Sequence, residues 1–137
     1  MRLALFAGAG LILSACNSPA PEPSAPTAQS PAVPIAPTAA MGAQVFKRCI
    51  ACHAIEVGAP HGIGPNLHGL VGRAVAAAPG FAYSPALKAR GGIWDAAALD
   101  GWLRSPGQAA PGNRMAFAGI AEAAEREALI LYLAEQR

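Results

Sequence analysis

The sequence contains few charged and few aromatic residues, and its positive charge is not concentrated in any one stretch. Charged residues make up 13% of the 137 positions, aromatic residues 6%, and the formal net charge is +2. No block of lysines and arginines occurs, which argues against a nucleic-acid-binding protein. No stretch alternates apolar and polar residues as a half-buried strand would. We therefore expect a small all-α protein that does not bind nucleic acid.

Cysteine is also scarce, and three cysteines are an odd number that argues against a disulfide framework. Two of them form the motif Cys49-x-x-Cys52-His53, and no second Cys or His pair follows at the spacing of a zinc site. Thiols three positions apart lie on one edge of a helical turn. Each can add to a vinyl group of haem while His53 ligates the iron. The motif therefore favours a c-type haem; a redox-active C-x-x-C, half a zinc site or a chance match are the alternatives.

The first residues have the pattern of an export signal. Arg2 is followed by an apolar run, Leu3–Leu13, which is shorter than the ~20 residues that span a bilayer and fits the apolar region of a signal peptide. Leu13-Ser14-Ala15-Cys16 then resembles the lipobox of bacterial lipoproteins, whose cysteine is lipidated and becomes the first mature residue. We predict a lipoprotein signal peptide at residues 1–15 and a lipid on Cys16. An ordinary signal peptide or an uncleaved anchor is the alternative.

Residues 16–38 are rich in proline, alanine and serine and contain one charged side chain, Glu22. A segment of this composition cannot bury enough apolar surface to fold, and it samples extended, polyproline-like conformations. At ~3.1 Å per residue, such a segment reaches at most about 60–70 Å. We predict a flexible linker that holds the next domain near a membrane and raises its effective concentration there.

The folded domain is predicted at residues 39–137, as helices joined by loops rich in glycine and proline. Thr38 is a candidate N-cap for a segment over 39–53 that has apolar residues at helical spacing. Ser84, before Pro85, and Asp95 are candidate N-caps of two further helices, and an apolar stripe predicts a last one near the C-terminus. These helices are predicted at residues 85–90, at residues 96–104 and around Leu129, Tyr132 and Leu133.

Short motifs follow one another in a definite order through this domain. They are Gly42 and Phe46, Cys49-x-x-Cys52-His53, Gly64-Pro65-Asn66-Leu67-His68-Gly69-Leu70, Arg73, Pro79-Gly80-Phe81-Ala82-Tyr83, Trp94, Leu103, Pro106, Pro111-Gly112-x-x-Met115, Phe117-Ala118-Gly119-Ile120 and Leu129 with Tyr132-Leu133. In this order and spacing, the stretch resembles a class I cytochrome c of the mitochondrial type and its bacterial relatives. The resemblance implies an all-α class I cytochrome c fold, with helices and loops wrapped around one covalent haem.

The same resemblance implies a set of residues around the iron. One haem c per chain would be attached through Cys49 and Cys52, with His53 as one iron ligand. The backbone carbonyl of Pro65 would accept from the His53 ring and fix its orientation. Met115 lies in a Pro/Gly-rich loop with the reach to fold over the haem, and it matches the second iron ligand of the family.

Further haem contacts are implied in the same way. Arg73, Tyr83, Trp94 and Asn113 would serve the haem propionates, which are buried anions that need hydrogen-bond donors. For Tyr83 and Trp94, plain core packing is the alternative. Trp102 stands where mitochondrial relatives have a tyrosine that donates to the methionine sulfur. The indole N–H can also donate, but with a different geometry.

These features predict a one-electron carrier, not an enzyme, with no small-molecule substrate. A buried iron with two protein ligands has no open position for oxygen or peroxide, which favours electron transfer. By resemblance, the expected partners are membrane redox complexes: a cytochrome bc-type reductase as donor and a terminal oxidase as acceptor. The carrier is expected to be a monomer, anchored by the lipid on Cys16 at the periplasmic side of a bacterial membrane.

Two alternative functions remain open at the level of sequence. The domain could be a fixed cytochrome subunit of a respiratory complex, or a peroxide- or gas-reactive haem protein if Met115 is displaceable. The lysine ring that surrounds the haem edge in mitochondrial relatives is thin here, with Ala121-Glu122-Ala123 where lysines would cluster. Long-range electrostatic steering of partners is therefore expected to be weak.

Overall fold

The computed structural model describes residues 36–137, which form five helices and the loops between them. The helices are α1 (Ala39–Phe46), α2 (Pro85–Arg90), α3 (Ala96–Arg104), α4 (Pro106–Ala109) and α5 (Ala123–Glu135). Within the described residues, extended pairing is limited to one antiparallel bridge between Ala74 and Ile93. The predicted all-α class is confirmed. The predicted signal peptide, Cys16 and nearly all of the predicted linker lie outside the described residues.

The helix starts follow from local side-chain chemistry. Thr38, Ser84 and Asp95 each accept a hydrogen bond from the backbone N–H three residues on, at 3.2, 3.2 and 2.7 Å. Each bond satisfies one of the N–H groups that the first turn of a helix leaves without a partner. The three predicted N-caps are therefore confirmed. Among the helices from α1 to α5, none combines the length and the apolarity needed to cross a membrane.

Helices α1 and α5 cross at very short range because Gly42 has no side chain. A Cβ at this position would lie 2.6 Å from the Ala128 carbonyl carbon and 2.7 Å from Tyr132 Cβ. One turn further on, the rings of Phe46 and Tyr132 pack with centroids 5.3 Å apart. The first and last helices are thus in direct contact, and this contact fixes the end of α1, which the Cys49-x-x-Cys52-His53 segment follows.

Two elements differ from the sequence prediction. Helix α1 ends at Phe46, and the rest of the predicted segment continues as separate turns up to Cys52. The short helix α4 lies in a stretch for which the sequence predicts only loop. A proline also fits the first turn of a helix, because the N–H groups there have no partner within the helix and the one that proline lacks is not needed. Pro106 is the first residue of α4.

A buried arginine ties α5 to α3. Arg126 is 6% exposed, and its Nε donates to Asp100 Oδ1 at 2.7 Å. Its NH1 group donates to the carbonyls of Ile120 and Ala121, at 2.9 and 2.6 Å. These bonds hold the loop that precedes α5 against the core, and that loop follows directly after Met115 and Phe117.

Candidate functional site

The Cys49-x-x-Cys52-His53 segment forms a tight turn directly after α1. The backbone N–H groups of Cys52 and His53 both donate to the Cys49 carbonyl, at 3.0 Å each. Cys49 itself is anchored by a 2.7 Å bond from its N–H to the Phe46 carbonyl. Both cysteines are free thiols. The turn therefore holds two thiols and an imidazole within one short stretch of backbone, as the spacing predicted.

The His53 ring is oriented by the loop opposite it. Its Nδ1 lies 2.7 Å from the Pro65 carbonyl oxygen, which can only accept, so Nδ1 is the protonated nitrogen. Nε2 is then left with a free lone pair, the state in which an imidazole binds a metal. Burial lowers the pKa of His53, and the hydrogen bond to Pro65 opposes this by raising it.

Gly64 allows the Pro65 loop to approach this ring. A Cβ at Gly64 would lie 2.6 Å from His53 Nδ1 and 2.7 Å from Nε2, closer than real Cβ contacts allow. The Gly64 N–H also donates to the Cys52 carbonyl at 2.8 Å. In the sequence, Gly64 stands out only as part of a motif. In the structure it allows the backbone of Gly64-Pro65, here called the Pro65 strap, to pack against the imidazole.

Asn66 and His61 hold the Pro65 strap in place through hydrogen bonds, a role for Asn66 that its motif alone does not predict. Asn66 Nδ2 donates to the carbonyls of Glu56 and Ala59, at 2.9 and 2.8 Å. The Asn66 N–H donates to His61 Nδ1 at 3.0 Å, so the His61 Nε2–H donates to the Pro79 carbonyl at 2.9 Å. A polar residue directly after Gly64-Pro65, in a sequence otherwise poor in polar residues, is the signal that could have identified this brace.

The two cysteines have different surroundings. Cys49 packs against the hydrophobic core, and this burial raises the pKa of its thiol, while the charge of Arg48 acts in the opposite direction. Cys52 instead lines a surface cavity of about 390 Å³, together with His53. A group bound to both thiols would therefore have one edge toward the core and one edge toward this cavity.

Met115 is held by Asn113 in the loop between α4 and α5. The Met115 N–H donates to Asn113 Oδ1 at 2.8 Å. Asn113 Nδ2 donates to the carbonyls of Pro106 and Ala110, at 2.8 and 3.0 Å. Both ends of the Asn113 amide are thus engaged within the loop. Met115 is half-buried and packs against the hydrophobic core.

Two tryptophans form the aromatic part of the site. The rings of Trp94 and Trp102 lie with centroids 5.5 Å apart, and both residues are buried. The guanidinium of Arg90 lies over the Trp94 ring, 4.8 Å from its centroid, a contact that the sequence analysis did not anticipate. Trp94, Trp102, Cys49 and Met115 belong to or pack against one hydrophobic cluster, so the fold brings these four predicted residues together.

Arg73 and Tyr83 retain donors beyond their contacts within the chain. The NH1 and NH2 groups of Arg73 donate to the carbonyls of His68 and Asn66, at 3.2 Å each, which leaves other N–H groups of the five. The Tyr83 hydroxyl accepts from the Ala78 N–H at 3.3 Å, so its own hydrogen remains available. Tyr83 also packs edge-on against Phe81.

The donor set fits a haem bound through thioethers. The site offers two free thiols, an oriented imidazole, a thioether on the Met115 loop, a cluster of buried aromatic side chains and spare donors for carboxylates. In residues 36–137, no three His, Cys, Asp or Glu side chains come together as a separate metal site.

Comparisons with known proteins point to one family. The family model for cytochrome c matches residues 39–137. The chain is 44% identical to cytochrome c2 of Agrobacterium tumefaciens over 97 residues, which cover 69% of this chain and 87% of that protein. It is 39% identical to cytochrome c of Kluyveromyces lactis over 93 residues, 67% of this chain and 84% of that protein. Among solved structures, cytochrome cH from Methylobacterium extorquens matches with a TM-score of 0.68 and 40% identity, over 72% of this chain and 98% of that one.

Proposed function

This chain belongs to the cytochrome c family, and from that premise we propose that it is a membrane-tethered periplasmic one-electron carrier with His53 and Met115 as iron ligands. Proteins of the family carry haem c bound covalently through the cysteines of a C-x-x-C-H motif, and Cys49 and Cys52 stand in that motif. The bound haem supplies an iron that alternates between the ferrous and ferric states. The residues of the chain set where that iron sits and what can reach it.

The observation that carries the proposal is the bond between His53 Nδ1 and the Pro65 carbonyl at 2.7 Å. It leaves the Nε2 lone pair free, on the residue that directly follows Cys52 in the chain. A hydrogen bond of this kind also raises the basicity of a ligating imidazole and holds its ring in one orientation.

Met115 supplies the second ligand in this proposal. Asn113 fixes the backbone of Met115, and the half-buried side chain packs against the hydrophobic core. A thioether raises the potential of haem iron relative to a second imidazole. With His53 and Met115 both as ligands, the iron would have no position for oxygen or peroxide, and we therefore infer an electron carrier without enzymatic activity.

Arg73, Tyr83 and Trp94 donate to the haem propionates in this proposal. Arg73 and Tyr83 keep free donors, as described above, and Trp94 is buried beside the attachment site. Asn113 has a different role, because its amide is already engaged with the Met115 loop. In this proposal Trp102, which packs beside Trp94, would donate its indole N–H toward the Met115 sulfur when haem is bound.

The cellular setting rests on the N-terminal sequence and on the family. The lipobox-like Leu13-Ser14-Ala15-Cys16 supports a lipid on Cys16, and the Pro/Ala-rich residues up to 38 support a tether. We infer exchange with a cytochrome bc-type reductase and a terminal oxidase, since a carrier held at a membrane meets complexes in that membrane at high effective concentration.

A spectrum and a mass measurement on the protein from its native host test the proposal. The pyridine haem spectrum should be that of a haem with two thioether links. The oxidised protein should show the sulfur-to-iron absorption band of a methionine ligand at neutral pH. Mass spectrometry of the mature N-terminus should find a lipid on Cys16. Absence of the sulfur-to-iron band would overturn the Met115 assignment, and an unmodified N-terminus would overturn the tether.

A further inference from the structure

Three large aliphatic side chains are exposed around the surface cavity that Cys52 lines. Ile50, Val57 and Ile63 are 60%, 78% and 82% exposed. Ile50 lines the cavity directly, Val57 follows the lining residue Glu56, and Ile63 follows the lining residue Gly62. Single exposed aliphatic residues are common on protein surfaces, but a group of them around one cavity indicates an interaction site. We call these three residues the cavity patch.

Backbone hydrogen bonds hold Ile63 at the tip of a tight turn. The Gly62 N–H donates to the Gly64 carbonyl at 3.0 Å, and the Gly64 N–H donates to the Cys52 carbonyl at 2.8 Å. A Cβ on Gly62 would lie 2.8 Å from the Cys52 carbonyl oxygen, so the turn lies directly against the attachment segment. Ile63 is therefore presented to solvent beside Cys52, with little freedom to fold back into the core.

The cavity patch lies next to the segment that contains Cys52. Cys49 packs against the core whereas Cys52 lines the cavity, so a haem bound to both thiols would have its Cys52 side toward the cavity. A partner that exchanges electrons with this haem would need to approach that side closely. Ile50 lies inside the Cys49–Cys52 loop, and Ile63 lies in the turn that is hydrogen-bonded to Cys52.

The charge around the cavity indicates the chemistry of the partner surface. The residues that line the cavity include no lysine or arginine, and one carboxylate, Glu56. Lys47 is exposed and follows the lining residue Phe46, whereas Arg48 is paired with Glu125 at 2.7 Å. Because Lys47 and Glu56 have opposite charges, the surroundings of the cavity carry no excess of charge that would attract an acidic docking surface. An uncharged, apolar surface would be complementary to three exposed aliphatic side chains.

We propose that the cavity patch docks an uncharged, apolar surface of a membrane redox protein, so that burial of aliphatic area and not ion pairing holds the electron-transfer complex together. The inference rests on the electron-carrier function proposed above and names the chemistry of its partner. Burial of apolar area is insensitive to ionic screening, whereas attraction between exposed charges weakens as salt is added.

A kinetic experiment with the full-length mature holoprotein tests this. The electron donor is a preparation of washed host membranes that lack this chain and are supplied with a quinol. The triple variant Ile50→Thr, Val57→Thr, Ile63→Thr is compared with Ile93→Thr, a matched control that removes an aliphatic side chain 56% exposed outside the cavity lining. Threonine preserves branching at Cβ and removes most of the apolar contact.

We expect the triple variant to be reduced about tenfold more slowly, since apolar burial contributes in proportion to the area removed from water. Ile93→Thr should react at the rate of the unmodified protein, and that rate should stay constant or rise with salt. Reduction by ascorbate, which needs no docking surface, should be equal in all three proteins. Equal membrane-supported rates for the triple variant and the unmodified protein, or a rate that falls steeply with salt, would overturn the docking proposal.

Two further results distinguish the docking proposal from a failure of the electron-carrier function and from lipid binding by the patch. If host membranes do not reduce the unmodified protein at all, the electron-carrier function fails, and the docking proposal falls with it. If the triple variant is reduced more slowly than the unmodified protein by intact membranes, yet at the same rate by detergent-solubilised membranes, the patch binds lipid and the docking proposal is wrong.

Discussion

Met115 and Asn113 are joined by a hydrogen bond in which the backbone N–H of Met115 donates to Asn113 Oδ1 at 2.8 Å. The same amide donates to the carbonyls of Pro106 and Ala110, so one side chain connects the methionine to both ends of the short helix α4. The position of the Met115 backbone is therefore set by a residue that does not itself touch the iron in our proposal. This arrangement makes Asn113 a positioning residue for the axial ligand.

Replacing Asn113 by alanine should loosen Met115. Three hydrogen bonds are lost, each contributing about 1 kcal/mol, and the carbonyls of Pro106 and Ala110 are left without this partner. We expect the sulfur-to-iron band of the oxidised protein to disappear at a lower temperature, and the reduction potential to fall. Gln108→Ala, an exposed substitution on α4, is the control and should change neither quantity. A band as heat-stable in Asn113→Ala as in the control would contradict the positioning role.

Gly64→Ala should disturb His53 directly. The new methyl group would overlap the imidazole, so either the ring or the Pro65 strap must move and the 2.7 Å bond between them is lost. We expect a loss of stability of about 2 kcal/mol or more and a lower yield of haem-containing protein. Gly107→Ala adds a methyl group with no atom within 4 Å, and it should behave like the unmodified protein. Denaturant unfolding and haem content per chain are measured on both variants. Equal values for Gly64→Ala and Gly107→Ala would contradict the prediction.

Two glycines that lie inside helices should respond to alanine with opposite signs. Gly42→Ala places a methyl group on the backbone of Ala128, where α1 crosses α5, and should cost about 3 kcal/mol of unfolding free energy. Gly101, in α3, has open space around its Cα. Gly101→Ala should stabilise the protein by up to about 1 kcal/mol, because alanine is the better helix former. Denaturant unfolding of both variants with haem bound checks the prediction, and two shifts of the same sign would contradict it.

Two arginines that share Asp100 should differ greatly in their effect on stability. Arg126 is buried, and Arg126→Ala leaves two carbonyls and a carboxylate without their donor, at a cost of about 3 kcal/mol. Arg104 lies 4.0 Å from Asp100 with its side chain 63% exposed, and Arg104→Ala should cost less than about 0.5 kcal/mol. Urea unfolding of each variant gives the comparison. Similar losses for the two would show that the buried network contributes little.

The parts of the site that depend on residues close together in the sequence could be predicted from it. The motif Cys49-x-x-Cys52-His53 places two thiols and an imidazole within five residues, although the helix predicted over 39–53 ends at Phe46. The three N-caps follow from residue types whose side chains bond to the next turn of backbone. The all-α class follows from the absence of period-two patterns. In each case the interacting residues are only a few positions apart, so the pattern can be recognised without knowledge of the fold.

Interactions between segments that are distant in the sequence could not be predicted in the same way. That Arg126 reaches Asp100 depends on how α5 packs on α3. The contact of Arg90 with Trp94 was missed although the two are four residues apart, because it depends on the path of the loop between them. Asn113 was expected at a propionate, whereas the structure engages its amide with the Met115 loop, because two carbonyls and an N–H converge on it only once α4 has formed. Helix α4 itself was missed, since four residues are too few to show a period.

Helix α1 also determines where the N-terminal segment joins the domain. It starts directly after Thr38 and ends directly before the attachment turn, and its eight residues span about 12 Å. Any chain that enters at Thr38 is thus joined to the end of a rigid rod opposite the end that precedes the redox centre. The point at which the chain enters and the turn around Cys52 therefore lie about one helix length apart, with the Gly42 crossing between them.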